Sequence, residues 1–254
     1  MDARLVIQLR DAAKAERQRL ENLYDDCLRL TMPARKRFYT TKVDNADDIY
    51  DETGANAVAE FVSRMQAGLM PSFTEFVKLD ASSLVNPRDK IAVDKDLDDI
   101  NKYVFEEIWN SNFAQESAES LHDMAISTGV MLFEEGTGDS AFHHRAIPIT
   151  DVYLERGSDD MVGGVYRCNK VKAKHLSTRY PKMSQSEMTK TYSDMKDSED
   201  KEMDIIEYTY RDYSKPNECY YHLVVCENHK EVLQQQKLEG AGSNPFIAFR
   251  WSTA

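Results

Sequence analysis

Leu30-Thr31-Met32-Pro33-Ala34-Arg35, Ile49-Tyr50-Asp51-Glu52-Thr53-Gly54-Ala55, and Leu69-Met70-Pro71 with Phe76-Val77-Lys78-Leu79 follow one another in that order between residues 24 and 79. They read as a helix stopped by proline, a loop, a capped helix and a second proline stop. Proline ends a helix because it lacks an amide hydrogen and crowds the preceding turn. Upstream of Pro33, the residues Leu5, Leu9, Ala12, Ala13, Leu20, Leu23, Tyr24, Cys27 and Leu28 recur at steps of three and four, so the first 30 residues predict a long amphipathic helix. Such a helix serves either as an interface with another chain or as an ordinary cover for its own domain.

The segment 33–52 is a polar loop. It holds a basic cluster, Arg35, Lys36 and Arg37, followed by Phe38 and Tyr39. Basic residues beside aromatics suit nucleic acid, but such a cluster also serves as a solvated or protein-facing patch. Thr53 is read as the cap of the second helix, with Ala57, Phe61, Met65 and Leu69 on its apolar stripe and Gly68 and Pro71 as its stop. Phe73, Phe76, Val77 and Leu79 then predict a buried extended segment. A third helix is expected over 94–110, with Leu97, Ile100, Val104 and Ile108 in register. A fourth starts near Ser111 or Asn112, buries Phe113, Ser117, Leu121, Met124 and Ala125, and ends at Gly129. The short connection makes the last two a helical hairpin.

After Gly129 the pattern becomes extended. Val130 to Phe133, Phe142 to Ile147, Val152 to Leu154 and Val165 to Arg167 predict an antiparallel meander with turns at Gly136-Thr137-Gly138-Asp139 and Gly157-Ser158-Asp159-Asp160. Segments 173–180 and 184–196 read as helical, the latter with Met188, Tyr192 and Met195 inward, and Lys196 to Glu202 as an exposed loop. Four more strands are expected at 205–213, 220–226, 232–238 and 246–251, with a turn at Ser214-Lys215-Pro216-Asn217. Ile206, Tyr208 and Tyr210 alternate with Glu207, Thr209 and Arg211, the period-two mark of a half-buried strand. The fold class is therefore α+β: N-terminal helices over 1–128 and a mostly antiparallel β region over 129–254, with a helical insertion near 173–196. A core strand this close to residue 254 leads us to expect that the sequence is a piece of a longer protein.

Bulk properties narrow the function. With 254 residues, 30% charged and 41% hydrophobic, the chain is of ordinary globular composition. No apolar run approaches the roughly 20 residues that span a bilayer, and Gln8, Arg10, Asp11 and Lys14 interrupt any signal-peptide core. These features point to the cytoplasm or to a particle assembled there. The net charge of −12 counts against a conventional DNA-binding domain. It fits a channel wall or ring to which passing DNA must not stick, and equally a merely soluble acidic surface. The four cysteines, Cys27, Cys168, Cys219 and Cys226, form no CxxC pair and read as reduced, mostly buried thiols.

No residue earns a catalytic, cofactor-binding or metal-binding role. Glycine-rich phosphate loops and GxSxG elbows are absent. His143 and His144 are adjacent, so in a strand they face opposite ways. Glu134-Glu135, Asp159-Asp160, Asp47-Asp48 and Asp98-Asp99 read as solvated carboxylates. Glu199-Asp200-Lys201 has a nuclease-like Glu-x-Lys spacing but lies in a charged loop.

Taken together, the fragments resemble the head-to-tail connecting proteins, the portal proteins, of short-tailed bacteriophages. The resemblance rests on the helix before Pro33, Tyr50-Asp51-Glu52-Thr53 opening the next helix, Leu69-Met70-Pro71 closing it, and Phe76 to Leu79. It extends through Ile147-Pro148-Ile149 to Tyr153, Val165-Tyr166-Arg167, and Asn244-Pro245-Phe246 to Arg250-Trp251. The family usually has Trp before the Phe near position 76, where this chain has Glu75. The resemblance implies a non-enzymatic virion protein, in host cytoplasm during assembly, with no cofactor. It implies a homo-oligomeric ring of about twelve subunits at one capsid vertex. Its implied partners are the major capsid protein, scaffolding protein, terminase, tail adaptor proteins and double-stranded DNA in the channel, with no membrane. Packaging, ejection and tail attachment would be its tasks. The part covered would be the N-terminal wing, without the stem and clip. The first helix and those at 53–70 and 94–126 are the expected subunit contacts. The alternatives are a tail adaptor or other virion module, a partner-binding scaffold, and a metal-dependent nuclease.

Overall fold

The computed structural model describes residues 1–39, 51–136, 138, 140–159, 161–183, 189–215, 217–240 and 242–250. Ile49, Tyr50, Asp47, Asp48, Thr137, Asp139, Asp160, Met188, Pro216 and Trp251, all used in the sequence reading, lie outside the described residues. Four helices come first: α1 (Ala3–Thr31), α2 (Thr53–Leu69), α3 (Lys90–Asn110) and α4 (Phe113–Ile126). Strands β1 (Gly129–Glu135), β2 (Phe142–Ala146), β3 (Val152–Arg156) and β4 (Val162–Lys172) follow. A 3₁₀ turn (Ala173–His175) leads into α5 (Leu176–Arg179), and α6 (Thr189–Asp197) precedes β5 (Glu202–Arg211). Strands β6 (Cys219–Cys226), β7 (Glu231–Glu239) and β8 (Phe246–Phe249) complete the described chain. The protein is α+β, as its sequence predicts.

The strands form two antiparallel sheets rather than one meander. Five run in the order β3-β4-β5-β6-β7, and three in the order β2-β1-β8. The long return from β7 brings β8 to β1, with Met131 opposite Ile247. Alternation along each strand sends neighbouring residues to opposite faces. On one face of the larger sheet, Tyr153, Tyr166, Ile206, Tyr208, Leu223 and Val225 pack against Ala3, Val6 and Ala13 of α1. On the other, Met203, Ile205, Val224 and Leu233 pack under Ala173, Leu176 and Tyr180. Beside them Val130, Leu132 and Phe246 of the small sheet cover Val152 and Val165. A fourth core joins Val62 of α2 to Leu121 and Met124 of α4, with Phe249 of β8 against it.

This layering corrects the reading of β5 as half-buried. Ile206 and Tyr208 are buried on one face, but so are Glu207 and Thr209 on the other. Glu207 is 3% exposed and fully engaged. It accepts from Tyr180 Oη at 2.6 Å, Arg167 Nη1 at 3.1 Å, Asn169 Nδ2 at 3.3 Å and Arg179 Nη2 at 3.5 Å. Burial pushes its carboxyl up, yet Arg167, Tyr180 and Arg179 prevail and hold it below the usual range. A buried charge survives in this way when it is paired and hydrogen-bonded.

Three boundaries also move. Thr53 is the first helical residue rather than the cap: Glu52 occupies the cap, and the Asp51 carboxylate accepts from the Thr53 N–H (2.8 Å) and Oγ1 (2.6 Å). The third helix starts at Lys90, four residues earlier than expected. The fourth ends at Ile126 with Ser127 as its cap, and Gly129 opens β1 instead of closing the helix. Glycine is needed at 129 for space, since a Cβ there would stand 2.6 Å from both the Ser120 carbonyl oxygen and the Phe249 ring. Residues 173–180 hold a 3₁₀ turn and one short helix rather than a continuous helix.

Two outcomes are expected. Gly129→Ala should destabilise the fold by about 1–3 kcal/mol, because the clash involves backbone that cannot give way. Glu207→Ala should cost about 3–5 kcal/mol by leaving Arg167 buried without its carboxylate. Urea unfolding followed by circular dichroism measures both.

Candidate subunit interface

Helix α1 is 29 residues long, or about 43 Å. Its buried stripe is not the apolar one. Ala3, Val6, Ala13 and Leu28 face inward together with Arg10, Glu21 and Asp25. Arg10 clasps Glu227 in the β6–β7 turn through Nη1 (3.1 Å) and Nη2 (2.5 Å). Arg17 donates to the carbonyl oxygens of Ile149, at 2.7 Å, and Val152, pairs with Glu21 at 2.9 Å, and lies 3.9 Å over the Tyr153 ring. Asp25 accepts from Arg37 and from the Phe38 N–H at 3.0 Å.

These polar anchors set the rotation of α1 and with it the outlook of its leucines. Leu5, Leu20, Leu23 and Leu30 are exposed, Leu23 at 59%, and Leu9 and Cys27 are only half-buried. The positions 5, 9, 12, 16, 20, 23, 27 and 30 form one straight stripe, apolar except for Glu16. An uncovered apolar ridge runs nearly the length of the helix.

A second exposed apolar surface spans residues 73–104. Phe73 (79% exposed, φ +60°), Val77, Leu79, Leu84 (93%), Ile91, Ile100, Tyr103 and Val104 all reach solvent. The expected buried segment is therefore mostly outside, and only Phe76 is held, edge-on to Phe105 with ring centroids 5.0 Å apart. Helix α3 turns Asn101 and Phe105 inward instead of Ile100 and Val104. Asn101 takes that place because its Nδ2 donates to Glu75 Oε2 (2.8 Å) and to the Val77 carbonyl (3.2 Å).

Between α2, α4 and the small sheet lies a groove of about 360 Å³, lined by Met65, Leu69, Met70, Met124, Met131 and Ile247, with Arg250 at its edge. Flexible thioethers suit such a surface to varied apolar shapes.

The other sequence candidates resolve as structural contacts. Arg35 pairs with Asp123 (2.8 Å) and Glu119 (2.7 Å), Lys36 with Asp151 (2.5 Å), and Arg37 with Asp25. The cluster thus pairs with carboxylates of its own protein. His144 is 5% exposed between the rings of Phe113 and Phe133, whereas His143 is exposed near Glu134. Lys201 of the Glu-x-Lys triplet pairs with Asp194, and Asp200 with Lys174. Asp159 accepts from Arg211 and Tyr213. Among the described residues no three His, Cys, Asp or Glu side chains are grouped to hold a metal ion, and no helix is long and apolar enough to cross a membrane. All four cysteines are free thiols.

The apolar side chains exposed on α1 and over 73–104 are surfaces of the kind that other proteins cover. In agreement, the chain belongs to the bacteriophage head to tail connecting protein family, whose family model matches residues 3–254. No curated protein matches it. The family is a structural one of the virion, joining the phage head to its tail.

Arg35→Ala should lower stability by about 3–5 kcal/mol by stranding buried Asp123, with no change in nucleic-acid affinity by filter binding. Burial, helped by His143, lowers the His144 pKa below its ordinary 6.5. The unfolded chain therefore takes up a proton near pH 6 that the folded chain refuses, and stability falls as pH drops below about 6.5. His144→Phe should flatten that slope by up to about 1.4 kcal/mol per pH unit, read from urea midpoints between pH 5 and 7.5.

Proposed function

We infer that this chain is a subunit of the portal ring, the connector at one capsid vertex through which DNA enters and leaves the head and to which the tail is joined. The observation that carries this reading is the apolar ridge of α1, left uncovered on a chain whose family connects head to tail. A closed ring repeats one heterologous contact around its circumference and so needs such a surface on every copy. The stoichiometry is about twelve. Residues 1–128 are the helical part of the wing, and 129–254 its β-rich part. The neighbours of the ring are the capsid and scaffolding proteins, the terminase and the tail adaptors. The acidic balance of −12 suits walls past which double-stranded DNA slides. Its role is mechanical rather than catalytic. The protein is assembled in the host cytoplasm and ends in the virion.

A tail adaptor, or another ring module of the virion, is the second reading, because the family's head-to-tail role fits it as well. Native mass spectrometry of the purified protein separates the readings. A species of about a dozen copies of the 29.2 kDa chain is expected. A protein that stays monomeric at every concentration, or that cleaves nucleic acid with Mg²⁺ until a named carboxylate is removed, overturns the ring.

A further inference from the structure

We propose that the ridge of α1 on one copy seats in the methionine groove of the next, so that these two surfaces are the male and female halves of the subunit contact. This rests on the ring reading above and assigns its interface. A heterologous contact requires two different surfaces on each chain. The described residues supply one convex and one concave surface, both apolar: the stripe from Leu5 to Leu30, and the groove lined by Met65, Leu69, Met124 and Met131. A helix laid by an apolar stripe into a methionine-rich groove is a recurrent mode of recognition.

Charge supports the pairing. Glu16 is the one charge on the ridge, and Arg250 is the one charge among the described residues that line the groove. They have opposite signs, and both are exposed. The ridge is about 38 Å long and about 10 Å wide, so it offers on the order of 400 Å². That is at the size where an exposed apolar patch on a soluble chain marks a contact.

The test uses the full chain and two variants, Leu23→Asp on the ridge and Leu69→Lys in the groove, each checked for an unchanged circular dichroism melt. Both positions are exposed, so folding should be retained. Each variant alone should fail to form rings. Mixed in equal amounts, they have one intact ridge and one intact groove between them. The mixture should give a dimer of twice the 29.2 kDa chain and nothing larger. As a second measurement, Glu16→Arg should raise the concentration needed for assembly about tenfold, and adding Arg250→Glu should restore it. If both variants assemble like the unaltered chain, or their mixture stays monomeric, the assignment of ridge to groove is wrong while the ring reading stands. If the unaltered chain itself never assembles, the ring reading fails and the assignment fails with it.

Discussion

The guanidinium of Arg17 determines how α1 sits. One planar group donates to two carbonyl oxygens in the segment leading into β3, pairs with Glu21, and stacks on Tyr153. The Ile149 carbonyl also accepts from the Val152 N–H, and Arg17 adds a charge-assisted bond to it and to the Val152 carbonyl. A helix held by such a group cannot roll to bury its leucines without stranding a buried charge. Arg10 on Glu227 and Asp25 on Arg37 fix the same rotation at two further points. The outward leucines follow from that seat.

Much of the chain could be read before its structure was known. Helices before strands, the proline stops at 33 and 71, and the α+β class come from periodicity and punctuation, which are local signals. Rotational phase is not local, and there the reading failed. For α1, the pattern left open whether the apolar stripe faced another chain or its own domain, and the inward positions are held by Arg10 and Arg17. Their partners, Glu227, Ile149 and Val152, lie more than a hundred residues away. Nothing near Arg17 in sequence announces them. The same holds for Asn101 on α3, which is inward because Glu75 and the Val77 carbonyl meet it. On β5 the alternation of Ile206 and Tyr208 with Glu207 and Thr209 was seen correctly. Its meaning changed because α5 and the small sheet cover the polar face, bringing Tyr180, Arg179 and Arg167 to Glu207.

The candidate interface was legible only in outline. The first helix was named as a contact element on its pattern, and that same pattern is what the solvent-facing ridge displays. The groove was not foreseen, since Met65 and Leu69 on α2, Met124 on α4, and Met131 and Ile247 on paired strands converge only in three dimensions. Four methionines in one groove are the signal in retrospect. The basic triplet at 35–37 shows the opposite lesson: a motif that could suit nucleic acid is consumed in tying the loop after α1 to Asp25, Asp123 and Asp151.

The two-ended anchoring of α1 also has a mechanical meaning. Near its start Arg10 holds the β6–β7 turn of the large sheet, and near its end Asp25 holds the loop through Arg37. A rigid rod pinned at both ends behaves as a strut. Force applied to its outer side, as by a neighbour leaning on the ridge, is resisted by directional ion pairs loaded in shear. Apolar contacts alone would allow the rod to slide, since their energy changes little over a small displacement. Stress entering through the leucines would therefore pass into the five-stranded sheet through Arg10 and into the start of the following loop through Asp25.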